Sequence, residues 1–449
     1  MKYRYLAVEL VHMQQPGNAV QEFVHLQPGH AAQDRGAGSP AGEPAFMRAC
    51  PRVLTLACCV YALIGSTTLA ARVKTGLDVL VEQDFAPIAG KRVGVIANNN
   101  SRTWDHRNIV TVLAASPKVK LTAIFAPEHG LTANAQAGAS IPSGQDGSTG
   151  VPVYSLFGHG VNRPTPAMLK NVDALVYDLQ EVGARFWTYT TTLGYLLEAA
   201  AARKIPLYVL DRPNPINGLD VQGPMLDVAH FSNIGYGRRP IRHGMTSGEL
   251  ARLFNVENKI GADLRVIRME GWERRMWMDQ TGLEWIAPSP NIRNLTAAIL
   301  YPGSCLLENT LVSVGRGTDT PFETVGAPWF RGLEVADYLN DRHLPGVRFI
   351  ARHFTPTAEP YKGQECNGLD IQLINRDVFD ASLLGLELLA ATLKFHPGKF
   401  TLDRKIMLLL GNDKAAAGLK RGQTGSEVND SLRDELGEFR SLRSKYLMY

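Results

Sequence analysis

The sequence predicts an α/β fold, in which a mostly parallel sheet domain with both faces covered precedes a smaller α+β domain. Three observations predict it. Short apolar runs alternate with helix-like segments from Arg72 to about residue 269, and that alternation belongs to parallel strands joined by covering helices. The chain has 449 residues, too many for one ordinary core. Near Pro288-Ser-Pro-Asn291 the pattern changes to Gly-rich loops with mixed strands and helices. The boundary is placed near residue 296, dividing 72–296 from 297–449.

Residues 1–46 are rich in Gln, Gly, Ala and Pro and carry no sustained period, as in a disordered or non-native extension. Met47-Arg-Ala-Cys-Pro-Arg52 then leads into an apolar run, Val53 to Ile64, and a small-residue stretch ending at Ala71. Basic region, apolar core and small-residue site make 47–71 a secretory signal peptide. The run is short for a membrane span, so the mature protein is expected in the periplasm or secreted, with no span after processing. An anchor behind a short tail is the competing reading. A lipoprotein reading at Cys58 lacks the usual Leu three residues before the cysteine.

The strands and helices follow in order. Lys91 to Ala97 reads as a strand closed by Asn98-Asn-Asn100. Asn108 to Ala115 reads as a helix, with 109, 110, 112 and 113 on one face. Val119 to Ala126 is a strand, Gly130 to Gly150 a long loop, Val151 to Leu156 a strand and Pro166 to Asn171 a brief helix. Ala174 to Leu179 is a strand followed by a helix from about Arg185 to Arg203. Pro206 to Leu210 is a strand broken by Asp211-Arg-Pro-Asn-Pro-Ile-Asn-Gly218. Thr246 with Glu249 three residues on is a capping box that opens another helix. Leu264 to Met269 and Gly368 to Ile374 read as strands. Leu383 to Phe395 and Leu432 to Tyr446 read as helices.

Composition excludes several functions. Hydrophobic residues make up 45% and charged residues 20%, normal for a globular protein. A net charge of +4 without a Lys/Arg run gives no case for nucleic acid. Five cysteines without C-x-x-C spacing indicate neither a zinc site nor a disulfide scaffold. Cys305 and Cys366 would survive processing, and two separate buried thiols are favoured over a pair. No G-x-G-x-x-G follows the first strand, so no dinucleotide cofactor is expected.

Chemistry-bearing residues gather at predicted strand ends: Asn98-Asn99-Asn100, Glu128-His129, Asp178/Gln180/Glu181 with Arg185, and Asp211-Arg212-Pro213-Asn214. In a parallel sheet these share the carboxyl edge, where ligands bind. Paired carboxylates suit glycoside hydrolysis, one donating a proton and the other attacking, activating water or stabilising. An apolar neighbourhood suits the donor, and Glu128, preceded by Phe125-Ala-Pro127, has one. His129, Asp178 and Asp211 could in principle hold a divalent ion, but no H-x-H or H-E-x-x-H spacing supports a metal site. Tyr154, Phe157, Phe186, Trp187 and Tyr189 lie near the clusters. Tyr189 falls four residues after Arg185, on one face of the predicted helix. His243 and Arg316 sit in polar loops that could reach in. Arg185, Arg212, Arg242 and Arg316 are candidates for an acidic substrate group.

Phe125-Ala-Pro-Glu-His-Gly130, Tyr177-Asp-Leu-Gln-Glu-Val-Gly-Ala-Arg-Phe186, Leu210-Asp-Arg-Pro-Asn-Pro215, Arg242-His-Gly-Met-Thr246, Pro288-Ser-Pro-Asn291 and Phe322-Glu-Thr-Val-Gly-Ala-Pro-Trp329 together resemble the exo-β-N-acetylmuramidase (NamZ) family. The resemblance runs from about Gly76 to Tyr449. It implies a Rossmann-like domain, a smaller C-terminal domain and a cleft between them. It implies release of non-reducing-end N-acetylmuramic acid from peptidoglycan fragments, without a cofactor. The family's proposed catalytic glutamate falls on Glu128, as general acid/base. Asp178, Glu181 or Tyr189 is expected to supply the second function. Asn98, His129, Gln180, Arg185, Asp211, Arg212, Asn214, His243 and Arg316 are expected to bind substrate, one arginine taking the lactyl carboxylate. A muropeptide-binding protein without catalysis and a metal-dependent hydrolase are the alternatives. Three departures stand out: Ala97-Asn-Asn-Asn-Ser101 for Thr-Asn-x-Thr-Gly, Ala137-Gly-Ala139 for Ala-Gly-Glu, and Leu432 for an aromatic residue.

Overall fold

In the computed structural model, described for residues 72–158 and 162–449, seven strands make one sheet in the order β3-β4-β2-β1-β5-β6-β9. They are β1 (Arg92–Ala97), β2 (Lys120–Ala126), β3 (Gly144–Gln145), β4 (Pro152–Ser155), β5 (Ala174–Asp178), β6 (Leu207–Leu210) and β9 (Leu264–Ile267). Every pairing is parallel except the short β3 against β4. The chain steps from β1 to β2 and β4 on one side, then returns to β5, β6 and β9 on the other. The reversal leaves a crevice over the carboxyl ends of β1 and β5.

Alternation along the strands explains the layers. Val95, Ile124, Val176 and Tyr208 join the apolar cluster on one face, with Leu77 and Leu113. Their neighbours Ile96, Phe125, Tyr177 and Val209 join the cluster on the other face. Successive side chains of a strand point to opposite faces, so both faces must be covered. The first face packs α1 (Gly76–Glu82) and α2 (Ile109–Ala115); the second packs α3 (Thr188–Arg203) and α4 (Ser247–Glu257). Asn108 caps α2, and Thr246 with Glu249 caps α4 in the expected box.

The second cluster continues into the C-terminal part, so the described residues form one compact unit. That part holds α5 (Leu295–Ser304) and the antiparallel sheet β10-β12-β11, made by β10 (Thr324–Ala327), β11 (Val347–Phe354) and β12 (Cys366–Leu373). Helices α6 (Gly332–Asp341), α7 (Ala381–Phe395), α8 (Arg404–Leu410), α9 (Asp413–Lys420), α10 (Gly425–Ser431) and α11 (Arg433–Arg443) complete it. A two-stranded ribbon, β7 (Gln222–Met225) with β8 (Pro240–Arg242), is inserted between β6 and β9 in sequence.

Three expectations need correction. Residues 166–171 form turns, because so short a segment gains too few hydrogen bonds to offset helix nucleation. α3 begins at Thr188, not near Arg185, so Arg185 and Tyr189 do not share a helix face. The last helix spans Arg433–Arg443, and Leu432 is the junction with α10. The extension 1–46 and signal peptide 47–71 lie outside the described residues. Among the described residues no helix is long and apolar enough to cross a membrane.

Candidate active site

Glu128 is carried to its place by a tight turn. After β2 the chain turns with Gly130 N–H on the Pro127 carbonyl, 3.0 Å. His129 and Gly130 both take left-handed backbone angles, φ 69° and 72°. A histidine there stores strain that a functional site tolerates when its surroundings hold it. His129 Nδ1 lies 2.7 Å from the Ala135 carbonyl oxygen. A carbonyl only accepts, so Nδ1 carries the proton and Nε2 keeps a lone pair. Burial lowers the His129 pKa, against an opposing effect of Glu128, and the ring is neutral at neutral pH.

Both oxygens of Glu128 are held. Oε1 accepts from the Gly138 backbone N–H at 2.8 Å, and Oε2 from the Thr188 hydroxyl at 2.7 Å. Gly138 sits in the long loop at φ 76°, where a side chain would be strained. Thr188 is the first residue of α3, so the partial positive charge of that helix end also faces the carboxylate. The next residue, Tyr189, braces the main chain instead. Its hydroxyl accepts from Asn98 Nδ2 at 3.0 Å and lies 3.1 Å from the Glu128 carbonyl oxygen and 3.2 Å from that of Pro288.

Glu128 opens into a cavity of about 200 Å³ shared by the two parts of the chain. Phe186, Trp187, Tyr301 and Phe322 form an aromatic wall, with Trp187 edge-on to Tyr301 at 6.0 Å and Tyr301 edge-on to Phe322 at 4.7 Å. Trp187 Nε1 is buried without a hydrogen-bond partner. Buried donors are normally satisfied, and this one is an exception. Arg316 and Glu308, from the loop after α5, also line it, and Arg316 Nε donates to Glu308 Oε1 at 2.5 Å. Neither terminal nitrogen of Arg316 bonds a described residue, so that end of the fork is available.

The remaining sequence candidates lie elsewhere. Gln180 and Arg212 line a second cavity of about 170 Å³ at the β1/β5 crevice. Asp178 is fully buried and bidentate with Arg212, at 2.5 and 2.9 Å. Burial raises its pKa while the guanidinium opposes that. Glu181 is equally buried, accepting from Gly183 N–H and facing His243 Nε2 at 3.2 Å. Asn214 ties Met245 to Ile216. Arg185 donates to the carbonyls of Pro224, Arg239, Leu409 and Leu410, stapling α8 to the ribbon. Asn98, Asp178, Glu181, Arg185, Tyr189, Asp211, Asn214 and His243 line neither cavity. Asp178 and Glu181 are thus closed off by their own partners, and Tyr189 meets Glu128 through the Glu128 main-chain carbonyl without lining the cavity. His129, Asp178 and Asp211 do not converge on one ion. The single group of three metal-type ligands among the described residues, Asp227, His230 and Asp413, lines neither cavity. Cys305 and Cys366 are separate buried thiols.

Asp211 gives a pH prediction. It accepts from Arg212 N–H, Gly248 N–H, Thr246 Oγ1 and Tyr449 OH, yet burial pushes its pKa up to about 7. The unfolded value is about 3.9, so between about pH 4 and 7 the folded state holds the extra proton and stability falls as pH rises. Three units correspond to about 4 kcal/mol. Asp211→Asn is expected to flatten the thermal midpoint across this window, and an unchanged slope would assign the pH dependence to another group.

These features also mark a family. The N-terminal and C-terminal domains of the exo-β-N-acetylmuramidase NamZ family match residues 93–296 and 299–449. The chain belongs to the exo-β-N-acetylmuramidase NamZ family. The peptidoglycan β-N-acetylmuramidase NamZ of Bacillus subtilis (strain 168) is 41% identical over 387 residues, 86% of this chain and 93% of that one. Two solved DUF1343 family proteins from Bacteroides fragilis NCTC 9343 share the fold, with TM-scores of 0.78 and 0.70 at 35% and 29% identity. Each match covers 84% of this chain and 99% of the other. The mostly parallel sheet domain and smaller antiparallel C-terminal domain are thus those of the NamZ family of glycoside hydrolases.

Glu308, Tyr301, Cys305 and Phe322 were missed as cavity residues. Their stretch has no strand-end position and no periodicity. The signals were the Phe322–Trp329 motif and the Gly-rich Gly315-Arg-Gly-Thr318 loop, which begins seven residues beyond Glu308.

Proposed function

We propose that the protein is an exo-acting glycoside hydrolase that frees N-acetylmuramic acid from the non-reducing end of peptidoglycan fragments by cutting the β-1,4 bond. The observation that carries it is the Glu128 carboxyl, aimed by Gly138 and Thr188 into an aromatic cavity that also holds an arginine. Family membership and the named activity of the Bacillus subtilis relative support the reading.

In the productive complex Glu128 gives its proton to the glycosidic oxygen as the bond to C1 breaks. The aromatic wall excludes water and packs the sugar faces. Neutral His129 offers Nε2 as acceptor to a hydroxyl. Of the four arginines weighed for the lactyl carboxylate, Arg316 alone lines this cavity. Its planar fork suits a carboxylate. Charge-assisted hydrogen bonds contribute about 1.5–3 kcal/mol, so Arg316→Ala is expected to raise KM by about 10–100-fold, with a smaller effect on kcat. An unchanged KM would remove the arginine from recognition. Residues 47–71 support export to a compartment where peptidoglycan fragments occur.

The deciding experiment incubates the protein with a disaccharide bearing N-acetylmuramic acid at its non-reducing end, with and without a chelator. Release of free N-acetylmuramic acid in both is expected. Binding without release would identify a muropeptide-binding protein, and release abolished by the chelator a metal-dependent hydrolase.

A further inference from the structure

Hydrolysis of a glycosidic bond with Glu128 as acid calls for a second group opposite it. Asp178 and Glu181 have side chains 0% and 1% exposed, each closed off by its own partner. Tyr189 is spent on Asn98 and on backbone. Glu308 differs: its side chain is 24% exposed, and among the described residues it is the one carboxylate besides Glu128 lining this cavity.

Its placement is built rather than incidental. α5 ends at Ser304, and the Glu308 N–H closes a turn onto the Cys305 carbonyl at 2.9 Å. Asn309 then takes a left-handed φ of 64°, a conformation asparagine tolerates better than most residues. Glu308 Oε1 accepts from Arg316 Nε, and Oε2 accepts from the Cys305 thiol at 3.2 Å. Arg316 is itself held over the Phe322 ring at 5.1 Å. The charges of Glu128, Glu308 and Arg316 all act on the His129 imidazole, so the four side chains share one electrostatic neighbourhood.

Resting on the function proposed above, we infer that Glu308 is the second catalytic carboxylate, the base that activates the attacking water. The Glu128 proton passes to the glycosidic oxygen, and the electron pair of the C1–O bond leaves with it. The water oxygen forms the new bond to C1, and one water proton passes to Glu308. The products are two hydroxyl-bearing sugars, with Glu128 left ionised and Glu308 protonated until solvent resets both. Arg316, bound to Glu308 through Nε and open at its other nitrogens, links this carboxylate to the substrate's own.

The test uses the 4-nitrophenyl β-glycoside of N-acetylmuramic acid. Glu308→Ala is expected to lower kcat by about 10²–10⁴-fold. Azide needs no base, so it should restore turnover and yield the α-glycosyl azide by entering from the face that Glu308 vacated. Glu308→Gln keeps an acceptor for Arg316 and guards against misfolding; it should lose kcat similarly with a near-native thermal midpoint. A Gln variant with kcat within about fivefold of wild type would overturn the assignment. So would an Ala variant that azide does not rescue and whose defect is confined to KM, as for Arg316→Ala. Wild-type protein that frees neither nitrophenol nor N-acetylmuramic acid overturns the function itself, a result distinct from either because the variants then have no activity to lose.

Discussion

Glu128→Gln is expected to lower kcat on the muramic-acid-terminated disaccharide by about 10²–10⁴-fold, the usual share of a general acid. The substitution keeps the shape of the side chain. Its amide oxygen can still accept one of the two hydrogen bonds, from Gly138 N–H or Thr188 Oγ1. What it removes is a proton that can be transferred. Binding should survive, since the aromatic wall and Arg316 are untouched. KM and the dissociation constant should stay within severalfold while single-turnover cleavage collapses. Near-normal turnover would remove Glu128 from the chemistry, and equal losses of binding and turnover would make it a substrate anchor instead.

The second large effect is on stability. Asp178→Ala leaves the Arg212 guanidinium, 6% exposed, without its bidentate partner. Removing one member of a buried pair costs about 3–5 kcal/mol, because the remaining charge is neither hydrated nor matched. Among the described residues the Arg212 guanidinium keeps only the Arg102 carbonyl, at 3.1 Å. Denaturant titration should show the loss in the midpoint. Asp178→Asn, which retains an acceptor, should lose less. A full-length, stable Asp178→Ala protein with no activity would return this residue to catalysis and contradict the placement described above.

The fold was legible because it rests on local regularities. Short continuous apolar runs such as Ala123 to Ala126 predict strands, and their burial on both faces follows from the helices between them. Capping at Thr246 was readable because the interacting residues lie three apart. The C-terminal part was harder. β10 and β11 pair with β12 across tens of residues, and α8 to α10 are short helices whose faces are set by what they pack on.

The site divides along the same line. Glu128-His129 was visible because an apolar strand delivers them directly to the sheet's carboxyl edge, and sequence proximity does the positioning. Arg316 was visible only as a polar loop residue. Partnership is different in kind. Strand-end position alone treats Asp178, Glu181 and Glu128 alike, but their side chains leave the edge in different directions. The folded chain sends Asp178 to Arg212 and Glu181 to His243, while Glu128 faces Arg316 and Glu308 from the other part of the chain. One-dimensional pattern thus determines which segments become strands and which residues reach their ends. Which of those residues remain open to a substrate depends on long-range packing, because a buried charge must find its partner wherever the fold provides one.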